Sequence, residues 1–165
     1  MIVYEHQTKK FRLRTTDQTD VSLILSYIRK LAIYEKLEHV MKATESSLEI
    51  SLFKDHRAEV IIAEYEEKPI GFALFFHNYS TFLGKANLYL EDLFIDPEYR
   101  HRGFGRMIFT YLAHLALERG CERCDWMCLN WNEPSIQFYK RLGAKPLADW
   151  ITFRLDHEAL IHLTQ

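Results

Sequence analysis

The sequence predicts an α+β fold in which a mixed, mostly antiparallel sheet is flanked by helices. Two apolar stretches, Glu59–Tyr65 and Ile70–His77, flank the turn signal Glu66-Glu67-Lys68-Pro69, which is typical of an antiparallel hairpin. Further along, residues 88–106 (LYLEDLFIDPEYRHRGFGR) run from a strand through a glycine-rich loop into a helix. A chain of 165 residues is long enough for one domain, 1–165, with a full core.

The N-terminal part is predicted to hold one strand and two helices ahead of the hairpin. Phe11-Arg-Leu-Arg alternates and indicates the first strand. Thr16-Asp17 then offers a helix cap before a clean helical stripe. That stripe consists of Val21, Ile24, Leu25, Ile28, Leu31 and Ala32. Thr44-Glu-Ser-Ser47 begins a second, short helix.

The middle of the chain is predicted to contain the strand around which the site is built. Gly71, inside the second hairpin strand, indicates a bulge or a close backbone approach. Asn78 to Lys85 is predicted to be a loop, and Leu88 to Asp96 the next strand. Counting by two places Glu91 on one face with the residues Tyr89, Leu93 and Ile95.

The remaining elements follow from their terminators and apolar stripes. Asp96-Pro97 ends the strand, because proline donates no ladder hydrogen bond. An amphipathic helix then runs to Gly120, and Cys124 to Asn130 is predicted to be a strand. Pro134 begins a helix that stops at Gly143. Trp150 to Leu155 is predicted to be the last strand, before a final helical turn capped by Asp156.

The glycine-rich loop before the long helix suits a phosphate or pyrophosphate. A helix N-terminus carries unpaired N–H groups and a partial positive charge, and glycines allow a ligand to approach the backbone. The alternative is a plain strand-to-helix turn that needs glycine for a positive φ. A P-loop is excluded because Gly105 is followed by Arg106 and Met107, and the dinucleotide fingerprint is excluded by Ile108.

Composition excludes several classes of function. The net charge of −2 argues against a nucleic-acid surface, and no apolar run approaches a membrane span. The N-terminus has too short an apolar stretch for a signal peptide, so a cytoplasmic location is expected. An odd number of cysteines, three, argues for reduced thiols. The pair Cys121 and Cys124 has no second motif to complete a metal site, so no metal is expected.

Three motifs together carry a resemblance to a known family. Arg100-His101-Arg102-Gly103-Phe104-Gly105 resembles the acetyl-CoA pyrophosphate motif of the GNAT acyltransferase superfamily. With Leu90-Glu91-Asp92 and Trp131-Asn132-Glu133-Pro134-Ser135, followed by Phe138-Tyr139-Lys140-Arg141, the chain resembles the spermidine/spermine acetyltransferase branch and its thialysine relatives. The resemblance implies the GNAT fold, acetyl-CoA as cofactor and a homodimer. The aromatic segment Trp150 to Phe153 could pack across a two-fold axis.

The resemblance also implies which residues bind the cofactor. Backbone groups of Leu93, Phe94 and Ile95 would bind the pantetheine arm as an added strand. The pyrophosphate would lie on the loop and the helix start. The residues matched there are Arg100, His101, Arg102, Gly103, Phe104, Gly105 and Arg106. Further cofactor contacts match Asp125, Trp126, Met127, Asn132, Glu133, Pro134 and Ser135.

Acetyl transfer to an amine requires a base and a group that stabilises the departing thiolate. Glu91, directly or through water, is the candidate base, the alternative being charge pairing with a neighbouring strand. Tyr139 would give a proton or hydrogen bond to the thiolate. The same resemblance implies which residues bind the substrate: Tyr34, Glu35, Glu91, Asp92 and Trp150. As plain structure, Tyr34 and Glu35 would be a helix-end aromatic and a solvated acid.

The amine itself stays open at the level of sequence. The acidic residues suit a small cationic amine, either a polyamine or diamine or a thialysine-like amino acid. Two departures weaken the polyamine assignment: Leu129-Asn130 stands where the polyamine enzymes have Ala-Glu, and Ala148-Asp149-Trp150 replaces Glu-Glu-Gly-Trp. The alternatives are a non-catalytic acyl-CoA sensor and a protein N-terminal acetyltransferase.

Overall fold

Among the residues that the structure describes, six strands form one sheet whose spatial order follows the chain, β1-β2-β3-β4-β5-β6. The computed structural model describes residues 1–8 and 10–165. Neighbouring strands are antiparallel except for the last pair, β5 and β6, which is parallel. The strands are β1 (Ile2–Glu5), β2 (Phe11–Thr15), β3 (Glu59–Tyr65), β4 (Lys68–Ser80), β5 (Lys85–Ile95) and β6 (Cys124–Trp126). The predicted mixed, mostly antiparallel α+β fold is confirmed.

The chain divides into two compact units, residues 1–129 and residues 130–165. In its described residues, the first unit holds the sheet and three α-helices, α1 (Val21–Tyr34), α2 (Glu45–Leu48) and α3 (Phe104–Glu118), and α2 continues as a π-helical turn over Glu49–Lys54. The second unit holds α4 (Glu133–Arg141) and α5 (His157–Leu163). None of the helices in the described ranges combines the length and the apolar character that a membrane span requires.

The two faces of the sheet carry separate cores, and each confirms a predicted helical stripe. Ile108 and Leu112 of α3 pack with Leu88 and Leu90 of β5 on one face. On the other face, the stripe of α1 and the short α2 pack against β3, β4 and Phe94 of β5. β5 therefore contributes side chains to both cores. Its C-terminal end leads directly into the glycine-rich loop and α3.

The hairpin between β3 and β4 confirms its prediction with a shorter turn. Glu66 and Glu67 alone make the turn, with φ of 49° and 66°, whereas Lys68 already pairs with Tyr65. Positive φ at both central residues matches the right-handed twist of paired strands. Here two glutamates adopt this unfavourable φ, at positions where asparagine and glycine are usual.

Gly71 confirms the predicted close backbone approach. A Cβ atom at this position would lie 2.3 Å from the carbonyl oxygen of Phe94 and 3.0 Å from Cα of Ile95. Gly71 and Ile95 are paired across β4 and β5, so the glycine allows the two strands to meet closely beside the end of β5. Immediately beyond, Asp96 donates its backbone N–H to the carbonyl of Ile70 at 2.9 Å.

A β-bulge in β5 changes the faces on which its side chains lie. Leu74 pairs with Asp92 while Phe75 pairs with Leu90, so Glu91 is the additional residue. Leu93 and Ile95 pack against the core that contains Leu90, whereas Tyr89 lies beside Phe76 on the other face. The prediction that Glu91 shares one face with Tyr89, Leu93 and Ile95 is therefore wrong, because one inserted residue reverses the alternation.

Two further boundaries differ from prediction, and one strand was not predicted. The expected loop from Asn78 to Lys85 shortens to residues 81–84, because the hairpin extends to Ser80 and Lys85. The strand expected from Cys124 to Asn130 ends at Trp126. β1 was not predicted, since its four residues alternate too briefly to stand out, and it forms by pairing with β2.

The predicted last strand, Trp150 to Leu155, is wrong. These residues have neither helical nor strand structure, and Trp150 and Phe153 expose 75% and 89% of their surface. Aromatic and β-branched residues supply strand propensity, but a strand forms only where a neighbouring backbone completes its hydrogen bonds. The cap at Asp156 is confirmed, since its carboxylate accepts the backbone N–H of Ala159 at 2.9 Å at the start of α5.

Candidate functional site

The edge of β5 that faces β6 is only partly covered. β6 pairs with β5 over three residues, from Leu88 with Cys124 to Leu90 with Trp126. The opposite edge of β5 is paired with β4 along nearly its whole length. Within the part of the chain that the structure describes, no strand pairs with the β6-side edge from the bulge to Ile95. An extended ligand could therefore add to the sheet at Leu93–Ile95, the residues expected to bind the pantetheine arm.

The glycine-rich loop turns sharply at two residues before α3. His101 has a φ of 62° and Gly103 a φ of 88°, and Gly103 is the N-cap of α3. Among the described residues, no side chain caps this helix, so backbone N–H groups of its first turn face outward. The side chain of Phe104 is buried and stacks on Phe11 with ring centroids 4.8 Å apart. Phe104, like Gly105, can therefore serve an anion only through its backbone.

The two arginines of the loop are each held by aromatic rings and a backbone carbonyl. Arg100 donates its Nε–H to the carbonyl of Ile95 at 2.8 Å, and its Cζ lies 4.7 Å from the ring centroid of Tyr34. Arg102 donates to the carbonyl of Glu98 at 3.1 Å and lies 5.3 Å from the ring of Tyr99. Arg106 lies in the first turn of α3. The loop thus brings cationic groups to a helix N-terminus.

The structure brings three predicted acids together. Burial, together with the negative charges of Glu91 and Glu35, raises the pKa of Asp92 to about 7. Burial also raises the pKa of Glu35. The thiol of Cys128 belongs to the same group, since burial and the charge of Glu35 raise its pKa. A carboxyl group whose pKa lies near neutrality can both accept and release a proton under working conditions.

Two of the predicted cofactor contacts, Asp125 and Trp126, are half-buried residues of β6. Asp125 forms an ion pair with Arg123, in which Oδ2 lies 2.9 Å from Nε, and it pairs in register with Tyr89. Trp126 packs edge-on against Phe109 of α3, with centroids 5.0 Å apart. Met127 follows the strand and is more than half exposed. Asp125 and Trp126 therefore each have a structural partner within the protein, in addition to the predicted contact with the cofactor.

The remaining predicted site residues lie in the second unit. Asn132 is the N-cap of α4, and its side-chain oxygen accepts the backbone N–H of Ser135 at 3.4 Å. Glu133 and Pro134 form the first turn, and Glu133 accepts a hydrogen bond from Gln137 at 2.5 Å. Tyr139 lies in the second half of α4. The Asn-Glu-Pro-Ser motif is thus a capped helix start, as its sequence predicts.

Lys30 and Asp96 are two site-flanking residues that sequence reasoning missed. Lys30 Nζ donates to the carboxylate of Asp96 at 2.7 Å, and Asp96 is largely buried at the end of β5. Lys30 stands four residues before Tyr34 on α1, so both side chains lie on one helix face. The four-residue spacing from Lys30 to Tyr34 was the signal in the sequence that could have identified Lys30. In the described ranges, no group of His, Cys, Asp and Glu side chains is arranged to hold a metal ion.

The chain is similar in sequence to known acetyltransferases. The model of the Acetyltransferase (GNAT) family matches residues 25–144. The chain is 35% identical over 164 residues to the thialysine N-epsilon-acetyltransferase of Mus musculus, a match that covers 92% of this chain and 96% of that protein. It is 29% identical over 195 residues to the L-ornithine N5-acetyltransferase of Arabidopsis thaliana, covering 90% of this chain and 86% of that protein.

Among solved structures, an integron cassette protein from the mobile metagenome of V. cholerae has a similar fold. The TM-score is 0.78 at 24% identity, and the match covers 94% of this chain and 98% of that chain. At this level of identity, the likeness concerns the fold alone.

Proposed function

Since the chain belongs to the GNAT acetyltransferase family and is an acetyltransferase, we propose that it transfers the acetyl group of acetyl-CoA to a primary amine of a small cationic substrate, by direct attack in a ternary complex. The observation that carries the proposal is the end of β5. There, among the described residues, a strand edge that pairs with no further strand, the carboxylates of Glu91 and Asp92 and a glycine turn at a helix N-terminus lie close together along the chain.

The loop and the strand edge fit acetyl-CoA. Among the described residues, no strand pairs with the β6-side edge of Leu93–Ile95, so its backbone can offer hydrogen bonds to the amide-bearing pantetheine arm. Gly103, with its left-handed φ, allows the pyrophosphate to approach the first N–H groups of α3, where the helix dipole favours negative charge. Arg100 and Arg102 add charge-assisted hydrogen bonds.

The group of acids fits a cationic amine and its deprotonation. An alkylammonium group has a pKa near 10, so only about one molecule in a thousand is neutral at pH 7. Glu91, which is exposed at the bulge, is suited to bind the ammonium group and to relay its proton through water. Asp92, with its pKa raised to about 7, is suited to receive that proton. We therefore extend the role of base from Glu91 alone to the Glu91–Asp92 pair.

Tyr139 completes the proposed chemistry. Once the amine attacks the thioester, the tetrahedral intermediate collapses and coenzyme A leaves as a thiolate, which a phenol can protonate or hydrogen-bond. The support for Tyr139 is the motif from Asn132 to Tyr139, in which a capped helix start leads to the tyrosine nearly two turns later. Asn132–Ser135 and Asp125–Met127 are proposed as further cofactor contacts on the same grounds.

We propose an amino acid with a side-chain amine, such as thialysine or ornithine, or a short diamine, as the substrate. The relatives named above act on thialysine and ornithine. The departures from the polyamine enzymes at Leu129-Asn130 and at Ala148-Asp149-Trp150 remove acids that would attract a longer polycation. Glu35 and Trp150 are further proposed substrate residues, and a cytoplasmic homodimer whose chains each act as one domain is the proposed form.

The test is a thiol-release assay with acetyl-CoA over a panel of thialysine, ornithine, lysine, putrescine, spermidine and short peptides. We expect the highest kcat/KM with thialysine, ornithine or a diamine. Gly103→Val should abolish acetyl-CoA binding, because valine resists a φ of 88° and blocks the approach of the pyrophosphate. Gly84→Val is the matched control. It strains a φ of 65° in a turn where a Cβ has no atom within 4 Å, so cofactor binding should persist.

The other outcomes of the assay separate the alternatives. Binding of acetyl-CoA without turnover of any amine would identify a sensor. Turnover confined to peptides would identify a protein N-terminal acetyltransferase. Unchanged acetyl-CoA affinity in a folded Gly103→Val protein would refute the proposed cofactor site.

A further inference from the structure

The last two turns of α1 hold the start of the glycine-rich loop at two points. Lys30 binds the carboxylate of Asp96 at 2.7 Å, immediately after β5. One turn later, the ring of Tyr34 lies over the guanidinium of Arg100, 4.7 Å from Cζ to the ring centroid. Because residues four apart lie on one face of a helix, a single face of α1 supports both ends of the segment from Asp96 to Arg100.

The guanidinium of Arg100 is oriented by three separate contacts. Its Nε–H donates to the carbonyl of Ile95 at 2.8 Å, which uses one of the five N–H donors of the group. The ring of Phe94 lies 5.2 Å from Cζ, in addition to the ring of Tyr34. Both distances are within the roughly 6 Å at which a ring face attracts a cation. Phe94 is fixed in the core, so Tyr34 is the partner at the surface of the site.

We propose that Tyr34 is a positioning residue for Arg100, holding the guanidinium by its ring so that the arginine can bind the pyrophosphate of acetyl-CoA. This inference rests on the proposed function, in which Arg100 binds that pyrophosphate. It assigns Tyr34 to the cofactor, whereas the sequence placed it with the amine substrate. Its contribution comes from the face of the ring and does not require the hydroxyl group.

The neighbouring residue, Glu35, interacts with the proposed amine site instead of the cofactor loop. Its charge raises the pKa of Asp92 and of Cys128, so Glu35 belongs to the group of acids. The adjacent residues Tyr34 and Glu35 at the C-terminal end of α1 therefore serve the cofactor loop and the amine site, respectively. A substitution at one position should consequently change the kinetics of one substrate and leave the other nearly unchanged.

The decisive experiment compares two acetyl donors in Tyr34→Leu and Tyr34→Phe. Acetyl-CoA carries the pyrophosphate, whereas S-acetylpantetheine carries the same thioester and arm without any phosphate. We expect Tyr34→Leu to raise the dissociation constant for acetyl-CoA by about threefold to tenfold, the range of a partly buried cation–π contact. The kcat/KM for S-acetylpantetheine and the KM for the amine should stay within about twofold, as should every parameter of Tyr34→Phe.

Tyr79→Leu is the matched control, because it makes the same change at an exposed tyrosine at the other end of β4. The Arg100→Met variant tests whether Tyr34 acts through Arg100. In the Arg100→Met protein, the additional substitution Tyr34→Leu should cause no further loss of acetyl-CoA affinity. Tyr34→Met replaces Tyr34→Leu if the latter does not fold, since methionine also lacks an aromatic face.

The inference is overturned if the wild-type protein binds acetyl-CoA and Tyr34→Leu binds it equally well. It is also overturned if Tyr34→Leu weakens both donors alike, or if Tyr34→Phe raises the KM for the amine while acetyl-CoA affinity is retained. A wild-type protein that does not bind acetyl-CoA would overturn the proposed function as well, so the two failures are distinguishable.

Discussion

Asp92→Asn should abolish most of the activity and at the same time stabilise the protein at alkaline pH. The pKa of Asp92 is raised from its ordinary value of 3.8 to about 7, chiefly by burial and then by the charges of Glu91 and Glu35. Each pKa unit corresponds to about 1.36 kcal/mol, so the ionised carboxylate destabilises the folded state by at most about 4 kcal/mol. Solvent still reaches part of the side chain, and we expect about 1–2 kcal/mol in practice.

The sign follows from proton binding in the two states. Between pH 3.8 and about pH 7, the folded protein keeps a proton on Asp92 that the unfolded chain has already released. The free energy of unfolding therefore falls as the pH rises through this window and levels off above the folded-state pKa. Asparagine has no proton to lose, so the stability of Asp92→Asn relative to the wild type should increase from pH 5 to pH 8.

Urea unfolding of both proteins at pH 5, 6.5 and 8 measures this difference, and a pH–rate profile of kcat/KM measures the catalytic part. We expect wild-type activity to rise through an apparent pKa near 7, as the base ionises. Glu35→Gln is the control, because removal of one neighbouring charge should lower that apparent pKa. Parallel stability curves for the wild type and Asp92→Asn, together with an unchanged rate profile, would refute the assignment.

Three further predictions concern other parts of the molecule. Gly71→Ala should lower the free energy of unfolding by about 1–3 kcal/mol, measured by urea titration, because its Cβ would lie 2.3 Å from the carbonyl oxygen of Phe94. Tyr139→Phe should reduce kcat at least about tenfold and leave the KM for acetyl-CoA unchanged, whereas a tyrosine used only for packing would leave kcat within about twofold and change Tm instead. Light scattering at micromolar concentration should give the mass of a dimer, and a monomeric mass would contradict the proposed homodimer.

The sequence by itself determined the features whose signals are local. The cap at Asp156 and the glycine before α3 each specify a backbone geometry within a few residues, and the structure shows both. The stripe of α1 likewise indicated its length and its buried face, since helical spacing repeats within the element itself. These signals needed no knowledge of what lies across the sheet.

Only the tertiary structure decided which side chains meet. The bulge at Glu91 arises from the register between β4 and β5, and it sets the face of every later side chain in β5. The strand pattern at Trp150 to Leu155 did not become a strand, because a ladder depends on a neighbouring backbone. Tyr34 and Arg100 are 66 positions apart in sequence, and their contact exists because α1 packs across the end of β5. Alternation and spacing describe one element at a time, whereas register and packing belong to pairs of elements.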